Sequence, residues 1–305
     1  VKNVVVTGAG GFMGRSLINT LLRQGVHVYA LDLLGGQITL PANEKICFIP
    51  MKEGSFEGVA DQMKQIEIDT FYHLAWAGVS TTHKNDFILQ SSNINLTLKA
   101  MELAGKLGAK KIICPGSTSE YAYCGQTVNG HNLPAPADMY AACKLATYFT
   151  AQLFAKQHNL PLIWLLIAST YGPGRNDNNI ITYSINTLLD GKKPSYTQLE
   201  QKWDYLYIDD LISALYLVGE KGIPGSTYPI GSGIAKSLAE YIIILRNKID
   251  PNLPLGIGEI PYKTAQIDHS IVDISLLQAH TGFKPLVSFE EGILRTISYY
   301  REKRG

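Results

Sequence analysis

The chain has 305 residues, enough for one large domain or two small ones around a substantial core. With 46% hydrophobic and 17% charged residues and a net charge of +1, it reads as an ordinary globular protein. No global field draws it to nucleic acid or to an anionic membrane, so an anionic ligand has to be held by local groups. The four cysteines, Cys47, Cys114, Cys124 and Cys143, make no CxxC pair and no metal spacing. They are expected to be free thiols in a reducing cytoplasm. No run of about 18 apolar residues predicts a membrane span, and with a strand pattern starting at Val1 no signal peptide is expected.

Val4-Val5-Val6 predicts a first strand, and a glycine loop follows it. Ser16 to Gln24 carries Leu17, Ile18, Leu21 and Leu22 at helical spacing, with Gly25 as a stop before a second strand from Val26 to Leu31. Further strands are expected at Ile46–Ile49, Thr70–Leu74, Lys111–Cys114 and Leu162–Ile167, with helices at Asn93–Lys106 and Met139–His158 among them. Strands this continuously apolar, alternating with helices, predict a parallel sheet covered on both faces. After Tyr171 the pattern becomes mixed, and one more strand at Tyr205–Ile208 runs into Asp209-Asp210 as a helix start. The expected division is a dinucleotide-binding unit at 1–170 with about 204–228, and a smaller discontinuous unit at about 171–203 with 229–305.

Gly8, Gly11 and Gly14 are spaced G-x-x-G-x-x-G between the first strand and the first helix, with Phe12 and Met13 inside the loop. Glycines there allow a tight turn, a close approach of backbone to a pyrophosphate, and close packing of helix on strand; the anion rests on the free N–H groups of the helix start. Asp32 ends the second strand 18 residues after Gly14, with Leu33 beside it. A carboxylate at that distance accepts hydrogen bonds from a ribose and repels a 2′-phosphate, which favours NAD over NADP. Arg15 is a mild counter-signal, and a solvated turn is the plain alternative for Asp32.

Tyr140 and Lys144 stand four apart on a predicted helix and share a face. A lysine ammonium favours the phenolate, so Tyr140 can take a hydroxyl proton as hydride leaves the same carbon, or return it in reduction. Ser117, at the carboxyl end of the fifth strand, is placed to hydrogen-bond a substrate oxygen, and Thr118 and Ser119 are rivals for that contact.

With these residues in view the chain resembles the extended short-chain dehydrogenases/reductases of the nucleotide-sugar epimerase/dehydratase family. The likeness runs from end to end through TGAGGFMG, YALD, YHLAWAG, the helix at Asn93, GSTSEY, YAACK, STYGPG, DYLYIDD and TGFKPLVSFEEGI. It implies a Rossmann doubly wound α/β fold with a smaller C-terminal substrate domain. It also implies that Leu74, Ala75, Trp76 and Asn93 run along the cofactor, that Tyr171 lies near the nicotinamide, and that Lys144 binds the nicotinamide ribose. Family dehydratases carry Asp-Glu after the Ser/Thr where this chain has Thr118 and Ser119, which argues against a 4,6-dehydratase. Leu166, Ser169 and Trp203 stand where relatives often have Arg, Asn and Arg, and the residues around Met51 and Lys52 replace a common Asp-Leu. Arg175 and Lys263 are the candidates for a substrate pyrophosphate. The expected activity is reduction or oxidation at C4 of a nucleoside-diphosphate hexose, of the kind that makes deoxysugars for bacterial surface polysaccharides. A 4-epimerase with tightly held NAD is the alternative. Other readings are a non-catalytic dinucleotide sensor and an enzyme acting on a free sugar or another small carbonyl. Extra apolar surface on the helices Asn93–Lys106 and Met139–His158 predicts a homodimer.

Overall fold

The computed structural model describes residues 1–33, 40–121, 127–262 and 272–304. Lys263 and Cys124 lie outside the described residues. Seven strands form one parallel sheet: β1 (Asn3–Thr7), β2 (His27–Leu33), β3 (Ile46–Met51), β4 (Thr70–His73), β5 (Ile112–Ser117), β6 (Leu162–Ile167) and, late in the chain, β9 (Thr227–Ile230). Their order is β3-β2-β1-β4-β5-β6-β9, so the direction of winding reverses between β1 and β4. A crevice at the carboxyl ends of the strands opens at such a reversal, and ligands bind there.

Residues alternate along each strand between two cores, because successive side chains point to opposite faces. Val4 and Val6 join Ile113, Ile163 and Leu165 on one face, under α1 (Phe12–Arg23) and α6 (Ile208–Lys221). Val5, Ile112, Cys114, Leu162, Trp164 and Leu166 face the other way, under α3 (Phe87–Lys106) and α4 (Met139–His158). The strands read as nearly unbroken apolar runs because both faces are covered.

Helix α1 begins at Phe12, four residues before the apolar period starts, because the glycine loop supplies its first turn. Likewise α3 starts at Phe87, where the Asp86 carboxylate caps it by accepting the Leu89 N–H at 3.1 Å. Strand β5 continues to Ser117, and a single 3₁₀ turn, Thr118–Tyr121, follows.

A second, three-stranded sheet has the order β10-β8-β7, from β7 (Ser169–Tyr171), β8 (Lys202–Tyr207) and β10 (Ala235–Ser237). The stretch 204–228, expected to sit with the dinucleotide unit, is therefore divided. Its β8 portion pairs with β7 in the small sheet, while β9 extends the large one. The polypeptide crosses between sheets through α6, whose first residue is Ile208. Asp210 on that helix accepts the N–H groups of Leu286 and Val287, both at 2.9 Å, and so ties the C-terminal segment to the point where the units meet. Around the small sheet lie α5 (Ile180–Leu189), α7 (Leu238–Ile249) and α9 (Phe289–Glu302), while the short α2 (Val59–Gln62) packs near α3 and α8 (Ser275–Thr281) near α6 and β9.

Candidate active site

The glycine loop fits a dinucleotide on steric grounds. Gly8 has φ +67°, and a Cβ there would stand 2.7 Å from the Ala75 nitrogen. A Cβ on Gly14 would stand 2.1 Å from the Gly8 carbonyl oxygen, so strand end and helix start touch through backbone alone. No side chain caps α1, and no acidic residue stands in its first turn. Its leading N–H groups are left for an anion, as the cradle of a pyrophosphate requires. Asp32 closes the loop from the β2 side: Oδ2 accepts the Gly10 N–H at 2.7 Å and Oδ1 the Leu33 N–H at 2.8 Å. Two carboxylate oxygens have further acceptor capacity, so ribose hydroxyls can still be held.

The opposite wall of the loop is the β4 end. Ala75 donates its N–H to Thr7 Oγ1 at 3.3 Å, and Thr7 Oγ1 meets His73 Nδ1 at 2.8 Å. Thr97 donates its hydroxyl proton to the Asn93 carbonyl at 2.9 Å, which leaves His73 Nε2 as the donor in its 3.1 Å bond to Thr97. His73 is buried and neutral; burial pushes its pKa down to about 3. Asn93 corrects a sequence expectation. Its carboxamide is taken by the loop after β4, accepting the Ala77 N–H at 2.8 Å and donating to the Ala77 and Leu89 carbonyls. It is not among the residues lining the cleft and instead holds the loop after β4 in place.

Gly8, Gly11, Phe12, Met13, Gly14, Leu74, Trp76, Ser117, Thr118, Ser119, Tyr140, Lys144 and Arg175 line one cleft. Thirteen of the nineteen residues singled out in the sequence thus meet there; Asp32, Leu33, Ala75, Asn93 and Tyr171 are not in the lining, and Lys263 is outside the described residues. Helix α4, capped by Asp138 through the Ala141 N–H at 2.8 Å, aims Tyr140 and Lys144 at the end of β5. Lys144 is buried, and its Nζ donates to the Pro115 carbonyl at 2.7 Å. The same ammonium sits 3.6 Å above the Trp76 ring and 5.9 Å from the Tyr140 ring. Trp76 is fixed in turn: its Nε1–H donates to the buried Gln90 at 3.0 Å, and its ring meets Tyr140 edge-on at 6.0 Å. A desolvated cation on an indole face is worth about 2 kcal/mol, so Trp76 is a structural partner of Lys144. Residue spacing alone gave no sign of that contact.

Burial pushes the Tyr140 phenol up to about 12, and a hydrogen bond with Ser117 works against that rise. Lys84, which pairs with Asp138 at 3.8 Å, lies 5.3 Å from the Tyr140 ring. Thr118 and Ser119 both line the cleft; the Ser119 N–H donates to Ser117 Oγ at 3.1 Å and so orients that hydroxyl.

Two expected residues sit differently. The Tyr171 ring is buried among Tyr205, Tyr207 and Phe289, and its hydroxyl donates to the Phe289 carbonyl at 3.3 Å, so the phenol faces the second sheet and not the cleft. Arg175 does line the cleft, 5.9 Å from the Phe12 ring, but Asp177 grips it at 2.6 and 2.9 Å and the Thr170 carbonyl takes a third N–H. Asp177 is the only carboxylate among the described residues lining the cleft. Leu166 is in the core, and Trp203 donates its Nε1–H to Ser169 Oγ at 2.6 Å. Among the described residues, no group of three or more metal-ligating side chains occurs and no helix is long and apolar enough to cross a membrane.

Known proteins resemble this chain over nearly its whole length. CDP-abequose synthase of Salmonella typhimurium is 25% identical, with 95% of each chain covered. UDP-glucuronate 4-epimerase of Thermodesulfobacterium geofontis is 27% identical, with 98% of this chain and 96% of the relative covered. The solved UDP-glucuronic acid 4-epimerase of Bacillus cereus, in complex with UDP-glucuronic acid and NAD, superposes with a TM-score of 0.86 at 24% identity over 99% of both chains, which shows a common fold. Residues 4–231 match the model of the NAD dependent epimerase/dehydratase family, and the chain belongs to that family of NAD-dependent enzymes.

Proposed function

We propose that the enzyme moves a hydride to or from C4 of a nucleoside-diphosphate hexose, as a reductase or dehydrogenase of 4-keto-6-deoxysugars. The observation that carries the reading is the convergence of Ser117, Tyr140 and Lys144 on the cleft that opens at the glycine loop. Bound NAD supplies the hydride acceptor, or in its reduced form the donor. Ser117 and Tyr140 bind the oxygen of the reacting carbon, and Tyr140 gives or takes its proton. Lys144 holds positive charge beside the phenol, which offsets the burial that disfavours phenolate. Trp76 screens the ammonium from water. Elimination of water from the sugar is disfavoured, since Thr118 and Ser119 offer no carboxylate and Asp177 is engaged by Arg175.

The clamp on the substrate diphosphate bears on reduction against epimerisation. An epimerase must let the keto sugar turn over while its diphosphate stays anchored, which calls for a strong clamp. Arginine suits that task through its fork, yet Leu166 is buried in the sheet, Trp203 bonds Ser169, and Arg175 is committed to Asp177 and Thr170. A single hydride transfer tolerates a weaker hold. The alternative, a 4-epimerase with tightly held NAD, draws on Asp32, whose bonds to the glycine loop suit an unphosphorylated ribose. A panel of nucleotide hexoses and 4-keto-6-deoxy sugars, followed by cofactor absorbance and product identity, tests the proposal. Stoichiometric cofactor turnover supports it. Interconversion of C4 epimers with no net change in added cofactor overturns it. We also propose that the chain is a homodimer through α3 and α4, whose Phe87, Ile88, Phe149 and Leu153 are each more than half exposed.

A further inference from the structure

Below the cleft floor lies a buried carboxyl that the proposed chemistry does not use. Glu120 is 0% exposed, in the 3₁₀ turn after β5. Its Oε1 accepts the Ser117 N–H at 2.7 Å, while Oε2 is buried with no hydrogen-bond partner. A Cβ placed on Gly116 would stand 2.5 Å from Glu120 Oε1 and 2.3 Å from Trp164 Nε1. The carboxyl and the indole nitrogen thus close on one point, which only a glycine leaves free. Gly116, Glu120 and Trp164 form a compartment for an acidic group inside the sheet.

A buried carboxylate without a counter-charge costs several kcal/mol. The cation at hand is Lys144, equally dry, bonded to Pro115 one residue before Gly116. The ammonium and the carboxyl therefore flank the same three residues of β5: Lys144 on the Pro115 carbonyl, Glu120 on the Ser117 N–H. Burial drives Glu120 up, against the Ser117 N–H, the Lys144 ammonium and the Trp164 indole, and it drives Lys144 down, against Glu120 and Cys114. The remaining titratable groups nearby are Cys114 on β5, Cys143 and Tyr140 on α4, and His73 on β4. Burial keeps each of them neutral, pushing the two thiols and the phenol up and the imidazole down. Glu120 and Asp138, the α4 cap, also push Tyr140 up, while Arg175 on the cleft wall pulls it down.

We propose that Glu120 is a positioning residue, whose carboxylate keeps the Lys144 ammonium charged in its dry site while its bond to the Ser117 N–H fixes the turn that carries the Ser117 hydroxyl. The proposal rests on the reading of Lys144 as the partner of Tyr140. It adds that the charge of Lys144 is conditional on a second residue that the substrate never touches.

The test reads Lys144 directly. The full chain is labelled with ¹³C at lysine Cε, the Lys144 resonance is assigned by its loss in Lys144→Met, and its titration is followed in the unaltered protein and in Glu120→Gln. Glutamine keeps the shape and an acceptor for Ser117 while removing the charge. The Lys144 midpoint should fall by about one to three pH units, the range expected for loss of one close opposite charge. A midpoint that moves by less than about half a pH unit overturns the proposal. The reciprocal measurement does not depend on how Glu120→Gln folds. Lys144→Met should show an infrared carboxylic-acid band at neutral pH that disappears in Lys144→Met/Glu120→Gln. If Glu120 stays ionised in Lys144→Met, the pairing is refuted. Neither measurement uses turnover. An active Tyr140→Phe variant would sink the catalytic reading and leave the pair standing, and an unmoved Lys144 would do the reverse.

Discussion

Replacing Gly14 with alanine is the sharpest steric test of the cofactor cradle. In a helix interior that change normally stabilises by about 1 kcal/mol, because alanine restricts the unfolded chain and is the better helix former. Here the added methyl would lie 2.1 Å from the Gly8 oxygen and 2.9 Å from the Ala9 oxygen, both backbone atoms that cannot swing aside. Ordinary contact requires the helix start and the loop to part by about 1 Å, and forced overpacking of this kind costs about 1–3 kcal/mol. The expected sign is therefore opposite to that of a free helical site. The same displacement moves the α1 N–H groups off the pyrophosphate. Losing one charge-assisted hydrogen bond costs about 1.5–3 kcal/mol, or about 10- to 150-fold in Kd. Thermal unfolding with and without NAD, together with calorimetric titration of NAD, measures both effects. Gly54→Ala is the control, since its backbone also has positive φ (+64°) but nothing lies within 4 Å of the new carbon. It should lose stability through conformation alone and keep NAD affinity. A Gly14→Ala protein as stable as the parent that binds NAD equally well would refute the close-approach argument.

Tyr140→Phe should lose about 10²–10⁴-fold in turnover while still binding NAD, since the phenol is the proton carrier and lies on the substrate side; more than half of the parent rate would remove it from the mechanism. Asp32→Ala should weaken NAD by about tenfold and narrow its preference over NADP, because it removes the ribose acceptor, the repulsion of a 2′-phosphate and the bond to Gly10; tighter binding of NADP than NAD by the unaltered chain would contradict this. Asp69 has its carboxyl held down to about 2: some desolvation opposes the shift, but the Lys2 N–H, the Lys110 ammonium and the Asn3 N–H outweigh it. Its contribution is present above pH ~4 and lost as pH falls through about 2, and because the carboxylate is half-buried beside an exposed lysine, Asp69→Ala should cost only about 1 kcal/mol in denaturant unfolding at neutral pH, with the difference vanishing in acid. Phe149→Glu with Leu153→Glu should turn a dimer into a monomer by light scattering at micromolar concentration, and a monomeric parent would remove the dimer proposal.

The parts of the fold legible in the sequence are those whose cause is local. Strand β6 and helix α4 have the bounds the sequence pattern predicts, because Leu162–Ile167 is an unbroken apolar run and Asp138 caps a helix that ends at Asn159 in the left-handed region. The glycine loop and the four-residue step from Tyr140 to Lys144 are local for the same reason, and both reach the cleft as expected. Apolar periodicity missed the start of α1, since the first turn is made of residues chosen for an anion and not for a core. It also missed the start of α3, where Phe87 and Ile88 face outward at 64% and 67% exposure.

What the sequence could not show is where a side chain spends its hydrogen bonds once distant segments meet. Asn93 looks like a cofactor contact until Ala77 occupies its carboxamide, and Arg175 looks like a phosphate ligand until Asp177 takes two of its donors. Glu120 is the strongest case. In the run GSTSEY it is an unremarked acidic residue beside more familiar ones, and an isolated turn would leave it in water. Its role depends on Gly116 having no side chain, on Trp164 from β6, and on Lys144 from α4 meeting at one place. Any one of them read alone has a bland explanation: a turn glycine, a core aromatic, a catalytic lysine. Together they put a carboxyl in a dry site, with the Ser117 N–H, the Lys144 ammonium and the Trp164 indole to hold its charge. On the proposal made above, the cation of this site is a property of the compartment and not of Lys144 alone, and exchanging Glu120 would change the chemistry of Tyr140 without touching it.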